Sequence, residues 1–224
     1  DATSLVEKLC TTDVVHQEDD TAACTLLLNE SGGILADAIV ARLEGFWLIT
    51  TDPCNRTKVL GHAISAGEGM SVKVDDQTEK GAMLAVSGPG ACEVLDSVLS
   101  EKPGDLAPGA TKIGWMMIAR YIVMRTSFTG MWGIEVILPK MFIAKAWRFI
   151  TDKAGDKALK PAGMTARDIL RIEAGLCRYG YELNETVDPI TAGLESLVDF
   201  DHEFIGCPAL TAIRDKGVSR KRVG

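Results

Sequence analysis

Three ionisable residues stand where their neighbours give no reason for a charge. Asp37 interrupts Ile34-Leu35-Ala36-Asp37-Ala38-Ile39-Val40, a run that otherwise reads as a buried strand. Side chains alternate along a strand, so Asp37 shares a face with Leu35 and Ile39. A carboxylate there needs a partner, a raised pKa or a polar cavity. The amide groups of a nearby turn are the ordinary partner, and taken singly the residue reads that way. Glu135 repeats the pattern inside Gly133-Ile134-Glu135-Val136-Ile137-Leu138, pointing away from the face of Ile134, Val136 and Leu138. By itself it reads as an exposed strand glutamate. Arg167 falls near the predicted start of a helix, where a cation gains nothing from the helix dipole. An adjacent carboxylate is its ordinary partner. Its guanidinium could instead grip a planar heterocycle or a carboxylate with two parallel hydrogen bonds.

The elements that must position these groups are mixed without strict alternation. Strands are predicted at 24–28, 34–43, 46–51, 70–74, 83–87, 113–126 and 133–138 from apolar alternation or short apolar runs. Asn29-Glu30-Ser31-Gly32-Gly33 between two apolar runs reads as a hairpin connection, which favours antiparallel pairing. Helical spacing follows Pro89 at Ala91, Val94, Leu95, Val98 and Leu99, until Pro103-Gly104 stops it. A second helix is predicted over 141–150 and a short fourth over 208–216. In the third, Thr165 and Asp168 resemble a capping box, with Leu170, Glu173 and Cys177 following at helical period. The pattern predicts an α+β protein with antiparallel sheets in two lobes.

Composition narrows the function classes. The 224 residues are 46% hydrophobic and 25% charged, as in ordinary folded proteins. A net charge of -7 argues against general attraction to nucleic acid or to an anionic membrane. The one basic run, 214–222, reads as a solvated surface or interdomain segment. Six irregularly spaced cysteines without a C-x-x-C pair predict reduced, mostly buried thiols and no zinc site. With no signal peptide and no apolar run of about twenty residues, a cytoplasmic or, in a eukaryote, mitochondrial-matrix location is expected.

The standard catalytic motifs are absent: there is no P-loop, dinucleotide fingerprint or nucleophile elbow. Ser87-Gly88-Pro89-Gly90 reads as a tight turn and the segment from His16 to Asp20 as a solvated loop. His62 and His202 give little support to a Ser/His or Cys/His set.

Three segments, in order, resemble the glycine cleavage T-protein (aminomethyltransferase) family. Asn29-Glu30-Ser31-Gly32-Gly33-Ile34-Leu35-Ala36-Asp37-Ala38-Ile39-Val40 is similar to the family's N-E-x-G-G-I-x-D-D-x-I-V. Arg125-Thr126-Ser127-Phe128-Thr129-Gly130-Met131-Trp132-Gly133-Ile134-Glu135 resembles R-T-G-Y-T-G-E-x-G-x-E. Gly163-Met164-Thr165-Ala166-Arg167-Asp168-Ile169-Leu170-Arg171-Ile172-Glu173-Ala174-Gly175 resembles G-L-x-A-R-D-x-L-R-L-E-A-G and is the most specific. Tyr179-Gly180 and Glu182-Leu183-Asn184-Glu185-Thr186 follow it, similar to Y-G and E-x-x-E-T.

The resemblance implies the T-protein folate-binding fold: antiparallel sheets and packed helices in two interlocked lobes, without the C-terminal barrel domain. Its lobes would be 1–77 with 176–216, and 78–175, with 217–224 beginning the barrel. It makes Asp37 catalytic and gives Glu135 and Arg167 the pterin ring of tetrahydrofolate. The implied reaction moves the one-carbon unit from aminomethyl-lipoyl H-protein to tetrahydrofolate, releasing ammonia. Tetrahydrofolate is the acceptor, no metal is required, and lipoylated H-protein is the partner.

Four positions depart from the family pattern. Ala36 replaces the first aspartate of the pair, Phe128 a tyrosine, Met131 the glutamate of T-G-E, and Cys24 a usual tyrosine. The changes leave the implied pterin contacts in place and alter the polar lining. A folate-dependent demethylase or methyltransferase on a small methylated metabolite is therefore an alternative, and a non-catalytic folate-binding protein another. Asp37 and the missing K-G-C-Y-x-G-Q-E of the iron-sulfur-assembly relatives speak against the latter. Both ends of the chain read as interior to the family's length, which predicts a piece of a longer protein and, for the piece alone, weak folate binding and poor solubility.

Overall fold

The computed structural model describes residues 1–97, 99, 101–116 and 118–223. Its elements run α1 (Ala2–Leu9), β1 (Thr21–Leu28), β2 (Ile34–Leu43), β3 (Phe46–Thr51), α2 (Arg56–Ala66), β4 (Gly81–Ser87) and α3 (Ala91–Asp96). They continue with β5 (Thr111–Met116), β6 (Ala119–Met124), β7 (Gly133–Pro139), α4 (Ile143–Ala158), α5 (Met164–Glu173) and α6 (Cys207–Lys216). The chain divides into two compact units. One comprises 1–19, 23–75 and 177–224, the other 20–22 and 76–176.

The first unit is built on a three-stranded sheet in the order β1-β2-β3. The five-residue connection 29–33 is too short for a parallel crossover, so β1 and β2 form a hairpin. Asn29 closes it, its amide donating to the Gly33 carbonyl at 2.9 Å and its side-chain oxygen accepting from the Ser31 and Gly33 amides. β2 and β3 pair antiparallel from Ala38↔Thr51 to Leu43↔Phe46. Nearly every residue of β2 is buried, because both of its faces are covered. Leu35, Ala36, Ala38 and Val40 join Leu5, Val6 and Leu9 of α1 and Ala63 and Ala66 of α2 in one core cluster. Ile34 joins Leu26, Leu28, Leu183, Phe204 and Leu210 in a second.

The second unit holds a four-stranded antiparallel sheet in the order β4-β7-β6-β5. Ile134, Val136 and Leu138 pack with Ala91 and Leu95 of α3 and with Ala146 and Ile150 of α4. Helices therefore cover the face that these three residues share.

The structure corrects several expectations. Residues 70–74 form no strand: they follow α2 as a bend and irregular chain, with Met70 and Val72 packing on the core. The predicted strand over 113–126 is two strands, β5 and β6, paired antiparallel from Thr111↔Met124 to Met116↔Ala119. Helix α3 ends at Asp96, and Val98 lies outside the described residues. No capping box forms on α5, whose N-cap is Gly163; Asp168 binds Arg171 instead, and the helix stops before Cys177. Of the six cysteines only Cys10 is buried, while Cys24 and Cys54 are exposed. The expectation of mostly buried thiols fails because those two sit where neighbouring side chains leave them open.

Candidate functional site

Asp37 belongs to the first unit, where β2 passes the end of its ladder with β3. Its carboxylate is half-buried and accepts the Tyr179 amide at 3.3 Å, while its carbonyl accepts the Thr51 hydroxyl at 2.9 Å. Tyr179 lies in a turn closed by Gly180 N–H donating to the Leu183 carbonyl. The partner is thus a turn amide, the ordinary answer for such a group. Burial pushes the Asp37 carboxyl above its usual range, its own amide and then the Tyr179 amide oppose this, Asp52 adds to it and Arg178 opposes it.

Asp52 and Arg178 form an ion pair there, Nε and Nη2 reaching Oδ2 at 3.1 and 2.8 Å. Burial alone would raise Asp52, but the Arg178 and Cys54 hydrogen bonds hold it below the usual carboxylate range. On the Tyr179 side, Lys58 Nζ donates to the phenol oxygen at 2.5 Å and to Glu185 Oε1 at 2.9 Å. Reading residues in isolation missed this set. Tyr179 and Glu185 stand inside the third similar segment, but nothing local distinguishes Lys58, Asp52 or Arg178.

Glu135 and Arg167 both belong to the second unit. Glu135 stands on β7 opposite Met124 of β6 and Ala85 of β4. It is 4% exposed, so the expectation of a solvated glutamate is wrong. The face of β7 turned away from α3 and α4 is closed as well, which alternation along one strand cannot reveal. The Thr126 hydroxyl donates to Oε2 at 2.7 Å. Burial raises the Glu135 carboxyl above its usual range, with Thr126 and then the Arg167 charge opposing.

Arg167 lies in the first turn of α5, its guanidinium 4.9 Å from the centroid of the Phe128 ring. Among the described residues it makes no side-chain hydrogen bond or ion pair, and the adjacent Asp168 is taken by Arg171 at 2.7 Å. Arg171 is buried and also donates to the Leu176 carbonyl at 3.1 Å, closing the helix C-terminus. The loop 125–132 is pressed against this helix, since a side chain at Gly130, where φ is +70°, would meet the Ala174 methyl at 2.5 Å. Sequence-distant Phe128, Glu135 and Arg167 are thus brought together. A buried carboxylate beside a guanidinium on an aromatic ring suits a flat ligand that offers both N–H donors and acceptors.

The family model described as the GCVT N-terminal domain matches residues 1–202. The chain belongs to this family. Similar proteins include aminomethyltransferases of Caldanaerobacter subterraneus subsp. tengcongensis, 33% identical over 230 residues, and of Rubrobacter xylanophilus, 34% identical over 229. Each alignment takes in 100% of this chain and, respectively, 61% and 60% of the relative. The crystal structure of glycine cleavage system aminomethyltransferase T from Bartonella henselae superposes with a TM-score of 0.86 at 26% identity. It covers 99% of this chain and 60% of that one. The chain therefore spans about 60% of the length of the GCVT-family proteins it matches. Among the described residues no helix is long and apolar enough to cross a membrane.

Proposed function

We propose that this chain binds tetrahydrofolate through Glu135 and Arg167 and serves aminomethyl transfer from lipoylated H-protein, with Asp37 as the catalytic carboxylate. The observation that carries the reading is Glu135: a carboxylate 4% exposed, held by one hydroxyl and lying near a guanidinium with no hydrogen-bonded partner among the described residues. Such a group is costly to keep in a fold unless a ligand uses it. A 2-amino-4-oxopterin fits the donor set, since its paired N–H groups suit the carboxylate and its ring acceptors suit Arg167. Phe128 keeps the guanidinium plane in place by cation–π contact.

Tetrahydrofolate supplies the nucleophilic amine that accepts the one-carbon unit, and ammonia is the leaving product. The residues supply position and charge. Asp37 orients the amine and stabilises positive charge as carbon is transferred. Burial raises its carboxyl above the usual range, which strengthens it as a proton acceptor.

A second reading, transfer from a small methylated donor, is favoured by Met131, which is exposed where the family pattern has a glutamate, whereas Ala36 is fully buried in the core. Titration calorimetry with tetrahydrofolate tests the shared part of both readings. Measurable binding that weakens in Glu135→Ala and Arg167→Ala supports it, and a chain that takes up no folate refutes it. Ammonia release from aminomethylated H-protein, set against transfer from small methylated donors, separates the two.

A further inference from the structure

The amide that answers Asp37 is itself unusually well anchored. The Tyr179 phenol is held by Lys58 Nζ at 2.5 Å, lies 3.2 Å from Glu185 Oε1, and has the ammonium 3.9 Å from its ring centroid. Lys58 reaches across from α2, whereas Glu185 is fixed through its backbone. Asn29 Nδ2 donates to the Glu185 carbonyl at 3.0 Å and the Ile34 amide to the Val187 carbonyl at 3.0 Å. Any side chain on Gly33 would collide with the Glu185 carbonyl, so the hairpin before β2 is shaped to receive this segment. The same hairpin leads into Asp37. Arg178, one residue earlier, is tied to Asp52 at the end of β3. The turn carrying the Tyr179 amide is thereby fastened to β3, α2 and the β1–β2 connection.

We propose that Lys58, Tyr179 and Glu185 form a clamp whose task is to hold the Tyr179 amide on the Asp37 carboxylate, making them positioning residues for that group. An exposed ion pair contributes little to folding, and Glu185 is largely solvent-accessible, so geometry rather than stability is what the clamp provides. A carboxylate held by a fixed main-chain amide has its remaining lone pairs pointed in a defined direction, which proximity effects require. The clamp rests on the reading of Asp37 as the catalytic carboxylate, but its test does not.

The test is NMR titration of the full chain, following the Asp37 carboxyl carbon and the Tyr179 amide. Asp52 and Arg178 also face Asp37, so the decisive variant must change no charge. Tyr179→Phe keeps the ring and removes only the hydroxyl. In the parent the Tyr179 amide shift follows the Asp37 titration. In Tyr179→Phe that response is lost and the Asp37 midpoint moves up, because a hydrogen bond favouring the charged form is gone. Glu185→Gln removes a charge, so only its amide response is read: that response is lost, and Lys58→Arg retains the parent behaviour. Parent-like titration of both signals in Tyr179→Phe, or a parent-like amide response in Glu185→Gln, overturns the clamp. Failure of folate binding would refute the proposed function while leaving this result standing.

Discussion

The surroundings of Asp37 and of Glu135 solve one problem, a carboxylate inside a fold, in opposite ways. Asp37 is half-buried and met by a main-chain amide, with the Asp52–Arg178 ion pair close by. Glu135 is almost wholly buried and met by one hydroxyl, with a cation near it that bonds nothing else among the described residues. A main-chain amide fixes direction without adding charge, which suits a group that must act on a ligand atom. An under-satisfied carboxylate beside a free guanidinium keeps its capacity for a ligand's donors and acceptors, which suits recognition. Both carboxyls are raised above their usual range chiefly by burial, so direction of shift does not separate the roles. Hydrogen-bond supply does.

Asp37→Asn is the sharpest test of that division, because it keeps shape and removes the charge and proton affinity. Folate-dependent ammonia release should fall by about 10²–10⁴-fold, the usual range for a general acid or base, with tetrahydrofolate affinity almost unchanged. Full turnover in this variant would break the comparison at its first half. Glu135→Ala should do the reverse and act on affinity. Loss of a hydrogen bond to a charged group weakens binding by about 1.5–3 kcal/mol, read by calorimetry, and Arg167→Ala should fall in the same range.

The two surroundings also predict opposite responses to pH at the level of stability. Glu135 has a folded-state pKa above its unfolded one, so its contribution is full at acid pH and lost as pH rises through the folded value. Glu135→Gln should therefore melt higher than the parent at pH 7, with the advantage vanishing on acidification. Asp52 is shifted down, so it stabilises above its unfolded pKa and loses this as pH falls through the folded value. Asp52→Asn should melt lower than the parent at pH 7, by about 1 kcal/mol or less. Thermal melts of the two variants across pH check both signs.

What sequence could tell differs between these regions for a physical reason. The hairpin at 29–33, the bounds of β2 and β3 and the antiparallel pairing are local matters of turn chemistry and alternation, and they were readable. So was a turn amide as the partner of Asp37, although not which turn, since Tyr179 lies 142 residues away. Glu135 was misread because alternation tells which face a side chain takes and not whether that face is covered. Lys58 and Asp52 gave no signal, their partners being 121 and 126 residues distant. The 70–74 segment has the apolar alternation of a strand because it packs on a core, yet no neighbour offers it a ladder. The family pattern joins Asp37, Glu135 and Arg167, which the chemistry of each residue alone leaves unconnected.

The smallest effect is expected from the ring beneath Arg167. Phe128 stands where the family pattern has a tyrosine, so the ring is retained and only a hydroxyl is missing. A cation–π contact at a partly open site is worth about 0.5–1 kcal/mol. Phe128→Ala should therefore weaken tetrahydrofolate binding by that amount, less than Arg167→Ala, because the guanidinium stays but loses its platform. The double variant Phe128→Ala with Arg167→Ala should cost no more than Arg167→Ala alone if the ring acts only through the cation. A full additive loss would instead mean that Phe128 touches the ligand itself, and the recognition half of the comparison would then gain an apolar wall.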